Sequence, residues 1–201
     1  MFIITADQID STHLDDIAGE TVTVLNERYG RELALPADRT AGDEIQVLAS
    51  DATTALAIVL DLTRTGQWSV GCGVGAVRSP LPKHTREATG PGFVAARTAV
   101  GQAKAAHWKF ALVTEASLES ADPGPLIDLL LVLRSRRTRE GWELFDLVAT
   151  GMTQADAAAE LRITPQAASK RARAAGIRTE LAALPALAHA LASSDVSGHE
   201  H

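Results

Sequence analysis

The chain is poor in sulfur and in aromatic side chains, and it contains no long apolar run. Its 201 residues include a single cysteine, Cys72, which can neither form an internal disulfide nor build a cysteine zinc site. No segment approaches the roughly 18 consecutive apolar residues that a membrane-spanning helix needs. The opening residues, Met1 to Asp7, lack the basic stretch of a secretory signal. We therefore expect a cytoplasmic protein with no membrane partner.

Composition and charge predict a folded protein with two different parts. Hydrophobic residues make up 46% and charged residues 22% of the sequence, which supports a packed core and excludes global disorder. The net charge is −6, yet the segment from Arg134 to Arg178 carries nine basic and five acidic residues. An acidic body joined to a basic segment predicts two modules with separate roles.

The prolines around Gly124 mark the point where the chain divides, because Asp-Pro-Gly-Pro stops regular structure. We expect an α/β domain at residues 1–120, a linker at 121–125 and a helical domain at 126–192. The small polar residues from 193 to 201 predict a disordered tail.

The first domain alternates between strand and helix patterns. The expected strands are Phe2–Ala6, Leu33–Leu35, Ile45–Leu48, Gln67–Val77 and Trp108–Val113. The expected helices are Leu14–Tyr29 with a Ser11 or Thr12 cap, Ala52–Thr65 and Ala95–Ala106. The turn between the second and third strands falls either at residues 41–44 or near Pro36. The order βαββαβ is that of an α+β, ferredoxin-like or palm-type sandwich.

Two acidic residues, Asp7 and Asp43, follow or precede neighbouring strands of this pattern. The first and third strands of a βαββ unit lie side by side, so the two carboxylates can converge on one edge. Paired carboxylates suit Mg²⁺, which takes oxygen ligands and keeps waters or phosphates in its shell. The alternative is structural, since aspartate after a strand is a common cap or turn residue.

The small residues of the fourth strand have a packing interpretation. Gly71, Gly73 and Gly75 lie inside the predicted strand, where they favour close backbone approach over a phosphate cradle. Cys72 lies between them, and we expect it to be buried and unreactive.

The helical domain contains a helix-turn-helix pattern at residues 153–176. Thr153 caps a helix over 154–161, a turn follows at 162–164, and Thr164 with Pro165 begins a helix that ends before Gly176. Ala158 is small enough to let the helices approach, Ile163 plugs the turn, and Ala168 faces the core. Arg162 stands at a turn position that can require a positive φ, which favours glycine.

The outer face of the second helix predicts contact with double-stranded DNA. Glutamine and serine can read base edges, and lysine and arginine can bind guanine or phosphate. The predicted DNA-binding residues are Thr164, Gln166, Ala167, Ser169, Lys170, Arg171 and Arg173. The alternative is a helical hairpin used only for packing or dimerisation. Beyond Gly176, an apolar stripe interrupted by a proline favours either a dimer helix or packing on its own module; it comprises Leu181, Leu184, Leu187 and Leu191.

Several short motifs resemble known families. Segments 4–12, 40–44, 70–75 and 90–97 resemble motifs of class III nucleotidyl cyclases and their palm-fold relatives. Over nearly the whole chain, the sequence resembles the bacterial SatD family. The run from Thr153 to Arg171 is similar to sigma-factor region four and LuxR-type DNA-binding helices. The resemblance implies Mg²⁺ with a nucleotide at Asp7 and Asp43, with Arg97 as a nucleotide-binding residue. Phe93 replaces the asparagine that cyclases use in catalysis, which argues against turnover.

Together these patterns predict a sequence-specific DNA-binding transcriptional regulator that acts as a homodimer. Its first domain would sense a nucleotide or another small-molecule effector, or serve dimerisation. The alternative is a Mg²⁺-dependent nucleotidyl cyclase or transferase with a helical targeting tail.

Overall fold

The computed structural model describes residues 1–13, 15–40, 42–115 and 122–195. Over these ranges the protein is α+β, with one five-stranded mixed sheet and eight α-helices, which confirms the predicted class. The chain forms two compact units: the first comprises Met1–Pro125 with Ala188–His201, and the second comprises Leu126–Leu187. None of the helices within the described ranges combines the length and apolar character needed to cross a membrane.

The sheet of the first unit is built from alternating elements. They are β1 (Phe2–Gln8), α1 (Ala18–Tyr29), β2 (Leu33–Arg39), β3 (Glu44–Ala49), α2 (Ala52–Arg64), β4 (Trp68–Val74), α3 (Pro91–Ala105) and β5 (Phe110–Thr114). The strand order is β2-β3-β1-β4-β5. The first four strands pair antiparallel, and β5 adds parallel to β4. The first six elements follow the predicted order, and α3 and β5 extend it.

The turn between β2 and β3 lies at the later of the two predicted positions. Strand β2 ends at Arg39 and β3 begins at Glu44, with Gly42 at a φ of 70° between them. Pro36 lies within β2, where the register to β3 shifts. Because β2 is an edge strand, it tolerates the missing N–H of that proline.

Glycines in β4 allow α3 to pack directly on the sheet. A Cβ added to Gly71 would lie 2.1 Å from the backbone nitrogen of Val100, and one on Gly73 would lie 2.2 Å from that of Ala96. No side chain fits in this space, so the packing interpretation of these glycines is confirmed. Cys72 is buried, and burial raises the pKa of its thiol to about 12, which confirms an unreactive cysteine.

Two helices of the first unit begin away from their predicted positions. Helix α1 begins at Ala18 after Ile17, which makes no side-chain cap bond, so the predicted Ser11 or Thr12 cap is wrong. Side chains from before the helix satisfy its first amides instead: Asp16 Oδ1 accepts from the Ala18 N–H at 3.1 Å. Helix α3 begins four residues early at Pro91, which suits the first helical position. Residue 14 lies outside the described residues.

The second unit is helical. The helices that form it are α4 (Gly124–Ser135), α5 (Arg139–Ala149), α6 (Gln154–Glu160), α7 (Pro165–Ala174) and α8 (Ile177–Ser193), of which the unit includes the residues from Leu126 to Leu187. Helix α4 includes Gly124 and Pro125, so the predicted linker is shorter than 121–125 and residue 121 lies outside the described range. Helix α8 includes Ser193, and the next residue, Ser194, is buried. The tail predicted from 193 therefore does not begin there, and residues 196–201 are not described.

Candidate nucleic-acid interface

Helix α7 has a clear start and a clear stop. The Thr164 hydroxyl oxygen accepts a hydrogen bond from the Ala167 N–H at 3.1 Å, and Pro165 fills the first helical position. The helix ends at Ala174, and Gly176 follows with a φ of 65°. The predicted cap, first-turn proline and stop are all confirmed.

The connection between α6 and α7 is short and tightly defined. Thr153 caps α6 by accepting from the Asp156 N–H at 3.2 Å, and its hydroxyl donates to the Asp156 carboxylate at 2.6 Å. Arg162 adopts a φ of 54°, in the left-handed region that costs a non-glycine residue about 1–2 kcal/mol. The turn therefore carries the strain that the arginine at this position predicts.

Small residues let α6 and α7 approach each other. Ala158 is 1% exposed and Ala168 is fully buried, and both belong to one apolar cluster with Leu144. Ile163 packs against the same cluster from the turn. The predicted roles of Ala158, Ile163 and Ala168 are confirmed, and α7 is anchored by one face.

The opposite face of α7 is open to solvent. Its exposed residues are Thr164, Gln166, Ala167, Ser169, Lys170 and Arg173. Arg171 differs from the prediction, because its side chain is only 23% exposed and is directed toward α5. Its Nη1 donates to the Glu140 carbonyl at 3.4 Å and lies 3.9 Å from the Glu143 carboxylate. The free polar face is therefore narrower than the sequence predicts.

A buried ionic cluster, which the sequence does not predict, supports the C-terminal end of α7. Glu180 in α8 is fully buried and accepts hydrogen bonds from two arginines, Arg134 and Arg137, the second at 2.5 Å. Arg137 also donates from Nε and Nη2 to the carbonyl of Ala175, at 3.0 and 2.9 Å. Because Ala175 is the C-cap of α7, this cluster fixes the end of that helix. The only signal in the sequence is an acid on the apolar stripe of α8.

Aromatic rings complete the enclosure of these arginines. The guanidinium carbon of Arg137 lies 4.4 Å from the ring centroids of both Trp142 and Phe145, and that of Arg134 lies 4.7 Å from the Trp142 ring. Cation–π contact of this kind gains strength when the cation is desolvated. Arg134 and Arg137 therefore belong to the interior, although both contribute to the basic charge of the segment from Arg134 to Arg178.

The burial of this cluster lowers the positive charge available at the surface. Leu126–Leu187 contains nine basic and seven acidic residues, a net charge of +2. Positive charge beside α7 therefore depends on a few side chains rather than on the unit as a whole. Glu140 on α5 stays ionised nearby, because its own backbone N–H and the Thr138 hydroxyl bond to the carboxylate and hold its pKa below the usual range.

The acidic pair of the first unit belongs to neighbouring parts of the sheet: Asp7 lies in β1, and Asp43 immediately precedes β3, which pairs with β1. Asp7 is opposite Glu44 of β3 in the register, and the Asp43 carbonyl accepts from the Gln8 N–H at 3.2 Å. The Asp7 carboxylate, however, pairs with the Lys104 ammonium at 2.7 Å. The Lys104 ammonium therefore occupies the carboxylate that would have to bind a metal ion.

Arg97 lies exposed on α3, one turn after Phe93. Phe93 packs against the buried cluster of Ile3, Leu48 and Ala96. Within the described ranges, no three His, Cys, Asp or Glu side chains gather in a metal-binding group. No protein-family model, curated protein or solved structure matches this chain.

Proposed function

We propose that this protein is a sequence-specific DNA-binding regulator, in which the second unit is a helix-turn-helix domain and α7 is its recognition helix. The observation that carries the proposal is the two-sided character of α7. Ala168 and Ala172 bury one side, and the other side presents Gln166, Lys170 and Arg173 to solvent.

The local geometry supports a helix that can enter the major groove. Helices α6 and α7 are 7 and 10 residues long, and a four-residue connection joins them. The major groove is about 12 Å wide and admits one α-helix. In such domains the N-terminal residues of the second helix meet base edges, which here places Thr164, Gln166 and Ala167 nearest the bases.

The exposed side chains match the chemistry of base and phosphate recognition. Gln166 can bond an adenine edge in bidentate fashion, and the Ala167 methyl can contact thymine. Ser169, Lys170 and Arg173 can bind bases or phosphates. Arg171 contributes less, because α5 already engages its guanidinium.

The first unit supports a sensing or dimerisation role rather than catalysis. The strand order β2-β3-β1-β4 supports a ferredoxin-like, palm-type core, in line with the resemblance to the SatD family. The residues fit a catalytic metal poorly, because Lys104 pairs with Asp7 and Phe93 is part of the core. We accordingly assign this unit a nucleotide or other small-molecule effector, and we place the protein in the cytoplasm as a homodimer.

Binding to a labelled mixed-sequence duplex, followed by fluorescence anisotropy at low salt, tests the DNA-binding step. Replacement of Lys170, Arg171 and Arg173 by alanine should weaken binding about tenfold or more, because phosphate contacts dominate non-specific affinity. The control removes the same charge from exposed positions of the first unit, Arg31, Arg64 and Lys83. Equal weakening by the two triple variants would mean that net charge alone governs binding.

A further inference from the structure

We propose that α7 lies between two phosphate-binding clefts, and that Arg136 and Arg178 hold the two DNA backbones that border the groove. Neither residue belongs to the recognition helix. This inference rests on the proposed DNA-binding function and adds two contacts outside α7.

The first cleft lies between α7 and the start of α5. It has a volume of about 370 Å³, and its charged lining residues are Arg136, Lys170, Arg171 and Glu140. Arg136 comes from the chain between α4 and α5 and is exposed. The Glu140 carbonyl already engages Arg171, which leaves Arg136 and Lys170 to meet an anion. The three cations of the cleft outweigh its one carboxylate, that of Glu140.

The second cleft lies between α7 and the start of α8. It has a volume of about 170 Å³ and is lined by Arg173, Arg178, Gln154, Ser169 and Thr179, among others. Its polar lining consists of two cations, two hydroxyls and an amide, and it contains no carboxylate. These are the donor groups that proteins direct at phosphate oxygens.

The helical period places the two clefts on opposite flanks of α7. From the helix itself, the first takes Ala167, Lys170, Arg171 and Ala174, and the second takes Ser169, Ala172 and Arg173. At 3.6 residues per turn, the mean directions of these two sets differ by roughly 160°. The exposed face, centred on Gln166, lies between them.

This arrangement fits a helix inserted in a major groove. Such a helix has one sugar–phosphate backbone on each side, and each backbone presents a row of monoanionic phosphates. Among the residues that the structure describes, no carboxylate lies within 4.0 Å of the Arg136 or Arg178 guanidinium. Both cations are therefore available to a phosphate on their own side.

The salt dependence of duplex affinity tests this assignment. The logarithm of affinity falls with the logarithm of salt by about 0.9 per phosphate contacted, so Arg136→Ala and Arg178→Ala should each reduce the slope by about 0.9. The double variant should reduce it by about 1.8. Affinity should fall by the same factor for different sequences, because phosphates carry no base information.

Matched variants separate a lost charge from a lost fold. Arg136→Lys and Arg178→Lys keep the cation and should keep the wild-type slope. Arg139→Ala removes an arginine of the same unit whose side chain is 88% exposed and lines neither cleft, and it should leave the slope unchanged.

The outcomes distinguish this inference from the proposed function. If Arg136→Ala and Arg178→Ala keep the wild-type slope while the triple variant of α7 loses affinity, the clefts do not bind phosphate and the recognition helix stands. If the wild-type protein binds no duplex at low salt, both the inference and the proposed function are overturned.

Discussion

Replacement of Glu180 by glutamine tests whether the buried ionic cluster holds the second unit together. Glutamine keeps the size of the side chain and one acceptor oxygen but removes the charge that faces Arg134 and Arg137. Both arginines and Glu180 are buried, so the change removes the carboxylate that binds two guanidinium groups in the interior. Breaking a buried pair in this way costs about 3–5 kcal/mol. That is a large fraction of the free energy of unfolding of a typical domain, which is roughly 5–15 kcal/mol.

The assay has to separate the two units. Hydrogen exchange at increasing urea concentration, read by mass spectrometry, measures the stability of α5 and α7 separately from that of the sheet. The matched control is Glu143→Gln, which removes an exposed carboxylate 3.2 Å from Arg139 and should cost less than about 1 kcal/mol. If Glu180→Gln costs no more than this control, the cluster does not stabilise the unit.

The same variant has a consequence for DNA binding. Arg137 joins Glu180 to the Ala175 carbonyl at the end of α7, so loss of the charge should loosen that helix. We expect weaker duplex binding under conditions where the protein remains folded. Unchanged affinity would mean that the cluster supports the fold without positioning α7.

Further predictions concern packing, turn strain, capping and the buried thiol. Gly73→Ala should lower the free energy of unfolding by about 3 kcal/mol or more, since its Cβ would lie 2.2 Å from backbone of α3; Gly101→Ala, with no atom within 4 Å, should be harmless, and equal effects in urea denaturation would refute the close-packing account. Arg162→Gly should raise that free energy by up to about 1 kcal/mol by relieving a φ of 54°, and a loss would refute the strain. Thr164→Ala should lower the free energy of unfolding by about 1 kcal/mol, as measured by hydrogen exchange in the peptides that cover α7. Unchanged exchange would show that the cap is dispensable. Burial raises the pKa of Cys72 to about 12, so the folded thiol stays protonated while the unfolded one ionises above its ordinary pKa of 9.0. Stability should therefore fall between about pH 9 and 12 by up to about 1.4 kcal/mol per unit, and an identical pH profile for Cys72→Ala would contradict this.

The elements that the sequence predicts well are those with local signals. Thr153 and Thr164 each bond to an amide only three residues away, and the glycine after α7 ends that helix by its own backbone conformation. Most strands of the sheet follow the same logic, because they contain a short apolar run bounded by turn residues. Strand β2 is the exception, since it continues four residues past its predicted end at Leu35. Such signals act within a few residues, so a single sequence contains them.

The parts that the sequence does not predict depend on long-range contacts. Glu180 meets Arg137 across 43 residues, and nothing near either residue marks the pair. The Arg171 side chain turns toward α5 because it donates a hydrogen bond to the carbonyl of Glu140, 31 residues earlier in the chain. Lys104 reaches Asp7 across 97 residues and changes how that carboxylate is interpreted. Each of these contacts alters the candidate site, and each requires the folded structure to be recognised.

Selection of bound fragments from sheared genomic DNA, at about 150 mM salt where non-specific affinity is weak, tests the central claim most directly. The samples are the wild-type protein, the Lys170, Arg171 and Arg173 triple-alanine variant, and the Arg31, Arg64 and Lys83 control. The account predicts that the wild type and the control enrich the same few discrete sites, and that the α7 variant enriches none. Absence of discrete sites with the wild type, or the same sites with the α7 variant, would contradict a sequence-specific regulator that reads DNA through α7.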